Sequence, residues 1–160
     1  MCCKVLGITE LQKPVGKWCP HCDIGRGCKI YSSRPEECRT FMCAWLVDER
    51  FSDAWNPDRS KMVVTPGHDG NTMEIRCDPG SPTAWRGKDY HDEIIRMAKA
   101  AEPTDGSLYV IVGTKSTLVT STDEFPLGDF PEDHVIVKEM SGHRVTGVKV
   151  LTREEWQKLK

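Results

Sequence analysis

A chain of 160 residues has the size of one ordinary domain, and its 22 basic against 24 acidic side chains leave a net charge of −2. That near balance argues against a general nucleic-acid binder, which carries a basic excess or stripe. The longest apolar run, Leu108 to Val112, is far short of the roughly 20 residues of a spanning helix, so no membrane segment is expected.

Residues 1–55 read as a cysteine-rich metal-binding segment. Of the eight cysteines, only Cys77 lies beyond residue 45. The N-terminus, Met1-Cys2-Cys3-Lys4-Val5, lacks the charged region and long apolar stretch of a secretory signal. A cytoplasmic location is therefore expected, where thiols stay reduced and clustered cysteines serve as metal ligands or catalytic thiols rather than disulfides. Cys2 and Cys3 sit at a terminus expected to be mobile and read as bystanders.

Trp18-Cys19-Pro20-His21-Cys22 is a C-x2-C knuckle, in which two thiolates can grip one ion while a tight turn points backbone N–H groups at the sulfurs. Cys28, Cys38 and Cys43 offer the rest of a shell, giving five cysteines between residues 19 and 43. The candidate metal ligands are thus Cys19, Cys22, Cys28 and Cys38, with Cys43 as a fifth. Zinc is the expected ion and an iron–sulfur cluster the alternative, since both use four cysteine ligands. His21 could replace a cysteine, but inside the knuckle it is expected to point outward.

Pro35 suits the first turn of a helix running to about Val47. On such a helix Cys38 and Cys43 would point roughly 140° apart at 3.6 residues per turn. Either the helix breaks between them or only Cys38 binds. A thiol in a helix's first turn is the more easily deprotonated, which favours Cys38. Cys43 is open between ligand and buried thiol.

The run from Cys28 to Phe41 has the form C-x-I-Y-x-x-R-P-x-x-C-R-x-F. Together with the knuckle it resembles the signature of the YkgJ-like cysteine-cluster family, described as zinc- or iron-chelating proteins, over residues 18–45. By that resemblance Cys19 and Cys22 match the family's C-x-x-C, and Cys28 and Cys38 its later cysteines. The family typically continues C-x-x-C with further close cysteines, often an adjacent pair. Here Asp23 to Gly27 follow Cys22, and no adjacent pair occurs there.

Between residues 17 and 45, Lys17, Arg26, Lys29, Arg34 and Arg39 outnumber Asp23, Glu36 and Glu37, leaving +2. That excess would offset the −2 of a four-thiolate Zn²⁺ complex; a solvated basic surface is the plainer explanation.

Turn-forming residues concentrate near residues 52–60, and residues 56–160 read as an α+β region forming one compact unit with the first segment. Lys61–Thr65 and Thr72–Asp78 predict a strand pair across the turn at residues 66–70. Met73, Ile75 and Cys77 lie on the buried face, Cys77 as a small core residue. Lys88–Glu102 predicts a helix with Asp89 as cap, Tyr90, Ile94, Met97 or Ala98, and Ala101 on one face, and Pro103 as stop.

Ser107–Gly113 reads as a strand buried on both faces, paired with Thr117–Thr122. His134–Met140 and His143–Leu151 predict a hairpin, and Thr152 with Glu155 a capping box opening a last helix. The fold expected is α+β: a cysteine-rich metal-binding lobe packed on a mainly antiparallel sheet with one or two helices.

Trp45 is expected in the core, and Trp18, Trp55 and Trp85 are expected to seal the metal lobe against the second region. His68, His91, His134 and His143 show no mutual spacing of a second site. Gly80 to Lys88 has the wrong spacing for a phosphate loop, and Asp89 replaces its hydroxyl residue. A cysteine-only shell seldom leaves an open coordination position, which leans away from an enzyme. The sequence therefore predicts a small cytoplasmic metal-binding protein. Its Cys-ligated zinc site is structural, and its α+β region binds a protein or small-molecule partner. The alternative is an iron–sulfur protein with a redox or maturation role.

Overall fold

The computed structural model describes residues 1–67, 70–129, 134–142 and 144–159. His68, Asp69 and His143, which the sequence places in the first turn and in the late hairpin, lie outside the described residues. In chain order the elements are α1 (Cys2–Val5), β1 (Cys22–Asp23), β2 (Gly27–Cys28), α2 (Glu36–Thr40), α3 (Ala44–Val47) and α4 (Pro57–Ser60). Then follow β3 (Met62–Pro66), β4 (Thr72–Cys77), α5 (Lys88–Ala101), β5 (Ser107–Val112), β6 (Lys115–Val119), β7 (Glu124–Asp129), β8 (His134–Ser141), β9 (Arg144–Thr152) and α6 (Arg153–Lys158).

The class is α+β. A five-stranded sheet runs β3-β4-β5-β6-β7 and is antiparallel except between β4 and β5. That pair is parallel because α5 carries the chain back across the sheet, as a parallel connection requires. Ile75 and Cys77 of β4, Leu108 and Val110 of β5 and Ile94 and Ala98 of α5 share one buried cluster with Trp55, Met62 and Trp85. Each large apolar side chain so buried contributes about 1.5–3 kcal/mol. On β5 the residues alternating with Leu108 and Val110 are only half-buried, so this strand has one covered face rather than the two expected.

β7 was not expected from sequence, because Pro126 and Gly128 both disfavour strands. It is the edge strand, where proline is tolerated, and Pro126 pairs with Thr117 at a register shift. Gly87, not Asp89, stands at the N-cap of α5, with no side-chain cap bond. β8 and β9 form a separate hairpin, and the Thr152–Glu155 capping box opens α6 as expected.

The single helix expected from Pro35 to Val47 is two short ones. Phe41 and Cys43 are extended between them (ψ 123° and 156°), so the chain turns there.

Nor is the N-terminus loose. The α-amino group of Met1 meets the Asp58 carboxylate at 2.9 Å, and the Lys4 ammonium meets Asp78 at 2.6 Å. Val5, 1% exposed, packs with Cys43 and Val63 in a second apolar cluster. Trp45 packs against both clusters. Trp55 and Trp85 belong to the sheet's core instead, so the role of sealing the lobe against the sheet falls to Trp45.

Candidate metal centre

The knuckle is a turn closed by the Cys22 amide donating to the Cys19 carbonyl at 2.9 Å. Beyond it β1 and β2 pair antiparallel with Cys22 opposite Cys28, which puts both thiols on one face of the hairpin. The connection needs Gly25 at φ +82° and Gly27 at φ +132°, values that residues carrying a Cβ rarely adopt. Asp23 accepts from the Arg26 amide and His21 from the Lys29 amide, both at 2.9 Å and both through backbone carbonyls.

Cys38 is placed by two carboxylates. Glu10 accepts from the amides of Glu36 and Glu37 at the start of α2, at 3.0 and 3.5 Å. Glu37 in return accepts from the amides of Thr9 and Glu10, at 2.9 and 3.4 Å. These reciprocal caps satisfy amides that a helix start leaves open and fix α2 against residues 9–11. Arg39 adds bonds to the Arg34 and Ser32 carbonyls, each at 3.1 Å.

Two residues read as bystanders come to the same place. The Cys19 amide donates to the Cys3 carbonyl at 2.9 Å, and the Cys3 thiol hydrogen-bonds the thiols of Cys2 and Cys22. Cys38 lies within electrostatic reach of Cys19, Cys2 and Cys28. Cys2, Cys3, Cys19, Cys22, Cys28 and Cys38 therefore share one neighbourhood, without meeting at one point. Cys43 does not join them; it is 4% exposed and faces Val5 and Val63. Every cysteine is a free thiol. Among the described residues no three His, Cys, Asp or Glu side chains are arranged as the ligands of an ion would be.

The hydrogen bond from Cys3 lowers the Cys2 thiol to about 6 and pushes Cys3 itself up. Cys38, expected to ionise easily, is instead pushed up. Burial acts first, and the neighbouring thiols and Glu37 add to it.

Near part of this group is Lys13, 5% exposed. Its ammonium donates to the Lys4 carbonyl at 2.9 Å and to the Leu6 carbonyl, and it lies within electrostatic reach of Cys19, Cys3, Cys2 and Cys38. Burial lowers its pKa while the thiols pull it back up. Sequence reasoning missed it because a lysine between Gln12 and Pro14 looks like any surface lysine.

On the sheet side of α3, a cleft of about 300 Å³ opens between Val47 and Phe51 and the side chains of Val64, Met73 and Met97. Among the described residues no helix is long and apolar enough to cross a membrane.

Comparison with protein-family models found no matching family, and comparisons with curated proteins and with solved structures found no match.

Proposed function

We propose that the N-terminal lobe is a thiolate metal site with a structural role, zinc being its ion. The ligands would be drawn from these six neighbouring thiols, Cys19 and Cys22 of the knuckle among them. The observation that carries this is that residues 20–42 contain no buried residue. A segment so poor in buried apolar surface cannot offset its ordering entropy by packing, and such segments are held by metals or disulfides. A neighbourhood of free thiols favours the metal, and the signature over residues 18–45, which resembles that of the YkgJ-like cluster proteins, points the same way.

The α+β region would receive a protein or small-molecule partner, for which the cleft beside Phe51 offers an apolar wall. The thiols call for a reducing compartment such as the cytoplasm.

The test is metal analysis and a visible spectrum on protein purified without oxygen. About one zinc per chain and no colour is expected for a single tetrahedral site. Iron with sulfide and a brown colour would make it an iron–sulfur protein instead. Protein that takes up neither would sink the proposal. A Cys19→Ser, Cys22→Ser double variant should then melt at a lower temperature; unchanged melting would refute the structural role.

A further inference from the structure

We propose that the stretch from Tyr31 to Arg39 is a docking surface for a partner protein, made to take a short peptide segment in which an acidic residue stands beside an apolar one. It goes beyond the function proposed above and draws on none of the thiols.

Three side chains make the surface. Tyr31 is 65% exposed, although Trp55 and Trp85 are buried. The Arg34 guanidinium stacks on the Tyr31 ring, 4.0 Å from its centre. Tyr31 opens a single 3-10 turn, Tyr31–Ser33, and Arg34 closes it; positions three apart in such a turn lie over one another. Arg39, exposed on α2, donates through Nε to the Arg34 carbonyl and through a terminal nitrogen to the Ser32 carbonyl, each at 3.1 Å. Both guanidiniums are therefore fixed to one loop.

What marks this loop is that its two cations are held in place without an anion. Among the described residues no carboxylate pairs with Arg34 or Arg39, whereas Arg50, Arg76, Arg86 and Arg144 meet one at 2.6, 2.7, 2.6 and 2.9 Å. The Glu37 carboxylate, close by in the chain, is engaged by the amides of Thr9 and Glu10. A guanidinium stacked on a ring keeps the donors along its edge for a carboxylate, and Arg39 spends two of its five N–H donors on carbonyls. Tyr and Arg are also the residues that most often carry the energy of an interface. The loop is stiff: the Ser33 amide donates to the Ile30 carbonyl at 3.0 Å, and Pro35 fixes the backbone just after Arg34. Binding would then cost little ordering entropy.

These groups define the partner's chemistry. A carboxylate is gripped by a guanidinium fork, and an apolar neighbour can lie against the exposed part of the Tyr31 ring. A nucleic-acid strand fits less well. It needs a basic track for successive phosphates, and here Glu36 and Glu37 follow Pro35 directly.

The experiment measures binding by fluorescence anisotropy on the whole chain. The probes are a short labelled peptide of Asp, Phe and Gly, its counterpart with Asn for every Asp, and a labelled oligothymidylate. The variants are Arg34→Gln, Arg34→Lys and Tyr31→Ala, with Arg96→Gln as the control, an exposed arginine on α5. Among the described residues the Arg34 side chain makes no hydrogen bond, so its variants should melt as wild type does. Wild type should bind the Asp peptide, more weakly as salt is raised, and the Asn peptide about 10-fold less tightly or worse, the scale of a lost charged hydrogen bond. Arg34→Gln should lose as much for the Asp peptide, Arg34→Lys part of it because an ammonium has no fork, and Tyr31→Ala several-fold. Arg96→Gln should bind as wild type does.

No binding of the Asp peptide by wild type would overturn the proposal, as would equal affinity for the Asn peptide or undiminished affinity in Arg34→Gln. An equal loss in Arg96→Gln would reduce the attraction to general surface charge and overturn it too. Tighter binding of oligothymidylate, lost in the same variants, would assign the surface to nucleic acid instead. None of these results bears on the metal analysis, so the two proposals fail separately.

Discussion

The amide of Cys19 donates a 2.9 Å hydrogen bond to the carbonyl of Cys3, so the first turn of the chain and the knuckle are one structural unit. Because the bond is between backbones, changing either side chain leaves it in place. Substitutions at Cys3 therefore report on the thiol itself and not on the docking of α1.

The thiols should differ sharply in reactivity. Cys2 is exposed and, with Cys3 donating to it, has a pKa of about 6, so near neutral pH it is largely thiolate. Cys77 is buried in the sheet and burial pushes it up to about 12. Limiting iodoacetamide on metal-free protein, followed by peptide mass mapping, should modify Cys2 first and Cys77 last. Equal labelling of the two would show that the Cys2–Cys3 hydrogen bond does not hold in solution.

Asp78 should matter more than most surface acids. Burial pushes its carboxyl up, but hydrogen bonds from Lys4 and the Gly80 amide, with the charges of Lys4 and Lys61, outweigh burial and hold it below the ordinary 3.8. The unfolded chain thus takes up this proton more readily than the folded one. The resulting stability is present at neutral pH and is lost as pH falls through the depressed folded value. Asp78→Asn should cost about 2 kcal/mol at pH 7, the scale of a hydrogen bond to a charged group, with the gap to wild type narrowing below about pH 4. Urea unfolding across that range measures it; a gap independent of pH would assign the loss to something other than the charge.

Much of this fold is legible in the sequence because one-sided burial leaves a period. Met73, Ile75 and Cys77 announce β4, Ile94 and Ala98 the inner face of α5, and Thr152 with Glu155 the start of α6. β7 is hidden because an edge strand accepts Pro126. The break at residues 41–43 is hidden because its cause is tertiary: Cys43 turns inward to Val5 of α1 and Val63 of β3. The knuckle cysteines are legible from spacing alone. The approach of Cys2, Cys3 and Lys13 is not, since it depends on α1 being pinned by Asp58 and Asp78, far along the chain.

Gly106 should tolerate no side chain. It follows the crossover helix, and its amide donates to the Ala101 carbonyl at 2.9 Å. A Cβ there would lie 2.8 Å from the Ala101 Cβ, 2.9 Å from the Ala101 carbonyl oxygen and 3.1 Å from the Asn71 carbonyl oxygen. Two of these are backbone atoms that cannot swing away. Gly106→Ala should therefore destabilise by about 1–3 kcal/mol, as overpacking does. Gly70→Ala, with nothing within 4 Å but φ +71°, separates steric crowding from backbone strain. An alanine tolerated at 106 without loss of melting temperature would mean that β5 can shift from α5.

Metal removal should dissolve the lobe and spare the sheet. The amides of Cys22 and Lys29 are hydrogen-bonded in a segment whose residues 20–42 include no buried one, whereas Ile75 and Val110 are themselves fully covered in the sheet's core. Local opening free energy follows buried contacts, so without a cross-link the first pair should open far more easily. Hydrogen exchange on zinc-loaded protein should show Cys22 and Lys29 protected. After chelation their protection should fall to near that of an unfolded peptide, with Ile75 and Val110 unchanged. Undiminished protection at Cys22 after chelation would mean that the turn and its carbonyl bonds hold the knuckle by themselves. The thiols would then be free for chemistry other than holding the lobe together.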